Sequence, residues 1–235
     1  MQIAGKTDIG KIREQNEDSF SIDKNMRFAV VADGMGGHNK GEVASVMATE
    51  LLCKKMSDKA FEMSEENIRK ILNEVNRDIH SRSLTDENCS GMGTTLVASV
   101  WDENDVYVFH VGDSRCYALY NNVLEQVTKD HTLVQKLLDA GEISADEVES
   151  FPNKHIITKA MGTESDIEPD VIKIDKNTCR ALLLCSDGLT NHVSDAEIQA
   201  YIDCAENAEE TVEKLINHAN DNGGMDNITA VLVLF

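Results

Sequence analysis

Apolar residues along this chain follow two periods. Short runs with strand character occur at "FAVVA" (28–32), "TTLVASVW" (94–101), "VYVFHV" (106–111), "RCYALY" (115–120), "VLEQVT" (123–128), "RALLLCS" (180–186) and "NITAVLVLF" (227–235). The connectors "DEND" and "NN" are short enough for hairpins, so this part of the sheet is expected to be antiparallel. Helical spacing places Val43, Val46, Met47 and Leu51 on one side of a helix over 41–57, and a second helix over 64–83 opens at Ser64 with Glu65 and Glu66 in its first turn. Near the end, Ser194 with Glu197 forms a capping box for a helix to about residue 204, and an amphipathic helix over 208–221 stops at Gly223-Gly224. Helices grouped before and after a row of strands predict a layered α+β fold. The segment 128–168 departs from this pattern. After the helix-like "HTLVQKLLDAG" its periodicity is weak, and its length exceeds an ordinary loop, as in functional or mobile segments.

Composition narrows the picture. The 235 residues, without a repeat or a Pro/Gly/Ser linker, are expected to form one domain over 1–235. A formal charge of −20 disfavours nucleic acid and anionic membrane surfaces as partners. The N-terminus has no apolar h-region and no segment approaches the ~20 apolar residues of a membrane span, so a cytoplasmic location is expected. Six cysteines without CxxC spacing read as reduced, mostly structural thiols.

Candidate chemistry lies at the strand ends. Asp33 follows "FAVVA", Asp113 follows "VYVFHVG", Asp187 follows "ALLLCS" and Asp226 precedes "NITAVLVLF"; Asp18, in "REQNEDSF", stands at the start of the strand-like "SFSID". A strand-end aspartate alone is usually a turn residue bonding its own backbone. Four of them beside glycines (Gly34, Gly112, Gly188, Gly224) point instead to one shared edge, because antiparallel strands begin beside the ends of their neighbours. Carboxylates so gathered require a cation, and all-oxygen ligation favours Mg²⁺ or Mn²⁺. Glycine beside Asp33 lets backbone and water approach such an ion. The chain lacks C-x5-R, HExxH, GxSxG, the P-loop motif and an EF-hand loop, which disfavours nucleophilic protein catalysis. Its seven histidines show no ligand spacing and read as surface or core residues, with His38 alone beside the proposed site.

The blocks "TDIGKIREQNEDSF", "VVADGMGGHNKGEVAS", "SGMGTTLVASV", "FHVGDSRCYAL", "VTKDHTLVQKLLDAGEI", "HIITKAMG", "LLLCSDGLTN" and "GGMDNITAVLV" together resemble, in order, the metal-dependent serine/threonine phosphatases of the protein phosphatase 2C type, in their bacterial form. The resemblance implies an αββα sandwich of two central antiparallel sheets flanked by helices, with 128–168 as a flap beside a cleft. It implies two Mn²⁺ or Mg²⁺ ions bridged by Asp33, with Gly34 offering its carbonyl, Asp18, Asp187 and Asp226 completing the sites, and Glu17 acting through water. Asp113 with Asp187 resembles a third, weaker metal site, and Arg13 matches the arginine that holds the substrate phosphate. Many eukaryotic members read "DGHGG"; Met35 replaces that histidine here, so the leaving-group acid is unassigned, with a metal-bound water and His38 as the options. The expected activity is hydrolysis of phosphoserine and phosphothreonine in proteins by direct attack of a metal-activated water. The expected counterpart is a serine/threonine kinase and its substrates, and the expected state is a monomer. A non-catalytic regulatory module on the same fold is the alternative, which the retained aspartates and Arg13 argue against. A cation-binding structural protein would need neither Arg13 nor the flap.

Overall fold

The computed structural model describes residues 1–25, 27–36, 40–58, 61–148 and 151–235. In chain order the elements are β1 (Gln2–Asp8), β2 (Asp18–Asp23), β3 (Phe28–Met35), α1 (Lys40–Met56), α2 (Glu65–Thr85), β4 (Gly93–Thr94), β5 (Leu96–Trp101), β6 (Asp105–Val111), β7 (Arg115–Tyr120), β8 (Val123–Gln126), α3 (Leu133–Asp139), α4 (Ala145–Val148), β9 (Asp170–Asp175), β10 (Cys179–Cys185), α5 (Asp187–Thr190), α6 (Asp195–Asp203), α7 (Ala208–Asp221) and β11 (Ile228–Leu234). One sheet runs β1-β11-β10-β7-β8 and the other β2-β3-β5-β6-β9, with β4 paired to β3. Every pairing is antiparallel.

Alternation along the strands divides the core into three apolar layers. Ala29, Val31, Val97 and Val108 meet Ala118, Leu182, Leu184 and Val231 between the sheets. The opposite face of β3 and β5, through Val30, Ala32 and Ala98, packs on Ala44, Ala48 and Leu52 of α1 and on Ile68, Leu72 and Ile79 of α2. Leu183, Ala230 and Leu232 pack on Ile198 of α6 and on Val212, Leu215 and Ile216 of α7. The result is the expected αββα sandwich.

Local signals account for the element ends. The Ser64 side chain accepts from Asn67 N at the start of α2, and the Ser194–Glu197 capping box closes on α6. Asn121 and Asn122, at φ 47° and 65°, make the two-residue turn that joins β7 to β8, a conformation asparagine tolerates. Two strands went unanticipated, β1 and β9, and both lie at sheet edges. An edge strand pairs on one side only and carries fewer apolar side chains, so "QIAGKTD" and "DVIKID" give weak signals. Gly5 of β1 is required by packing, because a Cβ there would stand 2.6 Å from the Phe20 ring.

The second part of the 128–168 segment is fastened to the sandwich. Thr94 and Met161 form an isolated bridge, and Asn76 of α2 accepts from Gly162 N (2.7 Å) while donating to Glu164 O and Ser165 O. The first part, with α3 and α4, stands over the sheet edge and is tied back by Leu133 N to Ile156 O (2.8 Å).

Helix α7 braces the outer face of the β1–β11 sheet, and its N-cap Asn207 accepts from Glu209 N (2.8 Å) and Glu210 N (3.3 Å). Asn207→Ala is expected to lower unfolding free energy by about 1 kcal/mol, as measured by urea denaturation. An unchanged midpoint and slope would show that the cap contributes nothing.

Candidate active site

The two sheets bring their strand ends to one edge. Asp18 opens β2 and pairs in register with Asp33 on β3, so the two carboxylates start from directly opposed residues of an antiparallel pair. Asp187 is the first residue of α5, just past β10, and Asp226 lies two residues before β11. Gly188 joins these two: its Cβ would stand 2.0 Å from Asn227 O and 3.5 Å from the Asp226 Cβ, so only glycine admits this approach. Asp113 sits in the β6–β7 turn, after Gly112 at φ +110°. Asp18, Asp33, Asp113, Asp187 and Asp226 therefore converge, as their mutual electrostatic influence records.

Small polar side chains hold this arrangement, and sequence reasoning did not single them out. Thr95 Oγ1 accepts from Asp33 N (3.0 Å) and shares a 2.7 Å hydrogen bond with Ser114 Oγ, linking the Asp33 and Asp113 turns. Ser186 Oγ donates to Asp18 Oδ2 (2.7 Å) and accepts from Thr229 N (2.9 Å), crossing from one sheet to the other. Asn227 donates to Ile9 O and Gln15 O (both 2.9 Å) and accepts from Glu17 N (2.8 Å), which fixes the loop carrying Arg13. Asparagine, threonine and serine at strand ends look like any turn residue; only their placement gives them this work.

Arg13 Nη2 donates to Asp226 Oδ2 at 2.7 Å, half-exposed at the rim. Glu17 is tied to the glycine backbone: its Oε1 accepts from Gly41 N (3.2 Å), and its carbonyl accepts from Gly34 N (3.1 Å) and Ser45 Oγ (2.6 Å). Gly34 and Gly41 are pressed together, a Cβ on Gly34 standing 2.1 Å from Gly41 O. Met35 ends β3 near Gly93. His38 lies outside the described residues.

A cleft of about 180 Å³ opens beside Asp113 and Asp187, bounded by Arg115, Asp130, Thr132, Lys154 and His155. Arg115 is committed to a two-pronged pair with Asp130, at 3.0, 3.1 and 2.7 Å.

Without a cation these carboxylates oppose one another. Burial first, then neighbouring carboxylates, push the Asp18 and Asp113 pKa up to about 7; the same causes hold Asp33 well above and Asp187 above the ordinary 3.8. Asp18 Oδ1 and Asp187 Oδ1 are buried without a hydrogen-bond partner among the described residues. Unpartnered oxygens on clustered carboxylates, with glycine backbone between them, fit hard divalent cations.

Two of the histidines, His110 and His131, are buried core residues, as expected. His110, His131 and Asp170 gather ligand atoms within 4.8 Å of one another, although nothing in their spacing announced it. His110 and Asp170 are register partners across β6 and β9, and His131 comes from the loop between β8 and α3. Burial pushes His110 down to about 3 and lowers His131, so both rings are neutral at pH 7.

An αββα sandwich that gathers buried carboxylates at one edge, two of them lining a cleft, has the architecture and donor set of a divalent-cation-dependent protein. The profile of the Protein phosphatase 2C family matches residues 11–233. The chain is 42% identical over 240 residues to the serine/threonine phosphatase stp of Listeria monocytogenes, covering 99% of this chain and 95% of that protein. It superposes on the crystal structure of the serine/threonine phosphatase Stp1 from Staphylococcus aureus with a TM-score of 0.93, 35% identity and coverage of 99% and 94%. The catalytic domain of the serine/threonine protein phosphatase PstP, crystallised with two manganese ions, gives a TM-score of 0.86 at 35% identity and coverage of 98% and 96%. The chain belongs to the protein phosphatase 2C family.

The carboxylate shifts predict a pH dependence with a definite sign. A carboxyl whose folded pKa exceeds its unfolded value binds more protons when folded, so stability falls as pH rises between the two values. Metal-free protein is therefore expected to lose thermal stability from about pH 4 to about pH 7, the window set by the ordinary 3.8 and the raised values near 7. Saturating Mn²⁺ is expected to remove the decline. Melting curves from pH 4 to 8 in EDTA and in Mn²⁺ that stay parallel would contradict this origin of the shifts.

Proposed function

We infer that this chain is a metal-dependent phosphoprotein phosphatase that hydrolyses phosphoserine and phosphothreonine, with 1–235 acting as one domain. The supporting observation is the set of converging, partly unpartnered carboxylates with a guanidinium at their rim. Asp33 stands centrally, with Asp18 opposite it and Asp187 and Asp226 arriving from the other sheet; these four, with the Gly34 carbonyl, would hold two Mn²⁺ or Mg²⁺ ions. Asp113 with Asp187 would hold a third. Bound there, the ions would acidify a water for direct attack on phosphorus and stabilise charge on the phosphoryl oxygens.

The remaining work belongs to the chain. Asp226 holds Arg13 within reach of the cluster, and a guanidinium fork matches two phosphate oxygens better than an ammonium does. On a protein of charge −20, that local cation draws a dianionic ester to the rim. The Glu17 carboxylate secures the start of α1 against Gly34, so its role here is to orient the glycine backbone rather than to contact substrate. No cysteine offers a nucleophile in the cleft: Cys116 and Cys185 are buried, and burial pushes the Cys185 thiol up to about 12. A serine/threonine kinase and its substrates are the natural counterpart of such an activity, in the cytoplasm, with the chain acting as a monomer. Among the described residues no helix is long and apolar enough to cross a membrane.

Phosphate release from a phosphothreonine peptide is expected with Mn²⁺ and not in EDTA; release that is equal in both would overturn the reading. Asp33→Ala is expected to lose Mn²⁺ affinity and turnover together, and retention of near-normal Mn²⁺-dependent turnover would remove Asp33 from the centre. Arg13→Ala is expected to raise KM about tenfold or more, the scale of a charge-assisted hydrogen bond, while calorimetry shows Mn²⁺ binding retained. An unchanged KM would remove Arg13 from the phosphate.

A further inference from the structure

The His110–His131–Asp170 cluster lies outside the carboxylate site and has no part in the reading above. His110 is fully buried, and both its ring nitrogens lack a hydrogen-bond partner among the described residues. Its ring lies 4.5 Å from that of His131, whose Nε2 stands 3.2 Å from Asp170 Oδ2. The Asp170 side chain is 42% exposed and gives the cluster a route to solvent. Two imidazoles and one carboxylate are the donor set of an open zinc site, with a remaining position for water, whereas Mg²⁺ prefers oxygen alone. We propose that His110, His131 and Asp170 bind a borderline divalent cation of the Zn²⁺ type, and that its binding loosens the Gly112–Asp113 turn.

The coupling follows from the ring tautomer. Gly112 N donates to His131 Nδ1 at 3.1 Å, and His131 N donates to Gly112 O at 2.7 Å. A neutral imidazole has one N–H; with Nδ1 accepting, that proton sits on Nε2 and faces Asp170. Coordination through Nε2 needs the lone pair there, so the proton moves to Nδ1 and confronts the Gly112 N–H. Two donors cannot share that contact. The turn must open at the residue preceding Asp113, while the proton count of the ring is unchanged. The positive charge of Lys159, whose Nζ donates to Glu168 O, acts on both rings and opposes a cation there.

The test is Zn²⁺ titration by calorimetry of full-length protein held in excess Mg²⁺, with nuclear magnetic resonance of the Gly112 amide and the histidine ring nitrogens. One Zn²⁺ is expected to bind despite the Mg²⁺, moving the His131 Nε2 and Gly112 amide resonances. Asp170→Asn, at the first residue of an edge strand, and His110→Ala are each expected to weaken uptake about tenfold or more. Lys159→Gln is expected to strengthen it. In phosphatase assays at fixed Mg²⁺, Zn²⁺ is expected to slow the wild type and to spare Asp170→Asn. Uptake that Mg²⁺ abolishes, or that Asp170→Asn leaves unchanged, would overturn the site. Uptake without movement of the Gly112 and His131 resonances would overturn the coupling. The effect on turnover rests on the Asp113 assignment above, whereas uptake and resonance shifts do not, so failure of the phosphatase reading would show separately as a zinc-free enzyme without activity.

Discussion

Repulsion among carboxylates removed from water is the constraint on which the rest of this structure depends. Asp18, Asp33, Asp113 and Asp187 are all raised above their ordinary pKa, with burial as the first cause and neighbouring carboxylates, Asp226 among them, raising them further. A chain gains nothing in stability from such a cluster. The cluster is held by elements that are stable for other reasons, namely the three apolar layers and the antiparallel ladders. The strain is local and the scaffold is global, which is how functional sites persist in marginally stable proteins.

The two-sheet arrangement suits this task because each sheet delivers its acids from a different direction. The β2–β3 pair sets Asp18 opposite Asp33, and the β10–β11 pair sets Asp187 beside Asp226 through the bare backbone of Gly188. Ser186 and Asn227 then cross between the sheets: the Asp18 carboxylate accepts from Ser186 Oγ, itself held by the Thr229 N–H, and the adjoining Glu17 N–H donates to Asn227. Arg13 belongs to a loop that Asn227 fixes, which ties its guanidinium to the same strand ends as the acids. The Gly112–His131 contact adds a tie from the Asp113 turn to the base of the 128–168 segment.

How much of this was legible follows from what each residue displays in sequence. Asp33 and Asp187 end strongly apolar runs, so a charge at the border of a buried strand stood out. Central strands were legible for the same reason. Edge strands β1 and β9 were not, because one-sided pairing asks for fewer apolar side chains and "QIAGKTD" reads as a loop. Thr95 lies inside the strand-like run 94–101, although it separates β4 from β5 and turns its hydroxyl to Asp33 and Ser114. The histidine cluster was illegible for a topological reason: His110 and Asp170 become neighbours only once β9 pairs with β6. Glu17 is legible only through the resemblance, and its contact with the Gly41 N–H at the start of α1 is a tertiary feature that no local pattern announces.

Proton release on cation binding measures the central repulsion directly. Calorimetric titration of Mn²⁺ in buffers of different ionisation enthalpy counts the protons displaced. At pH 6, below the values near 7 of Asp18 and Asp113, the account predicts that Mn²⁺ binding expels protons from the cluster, and that fewer are expelled at pH 8. Binding that releases no protons at pH 6 would mean that the carboxylates are already ionised without a cation, and would contradict the account.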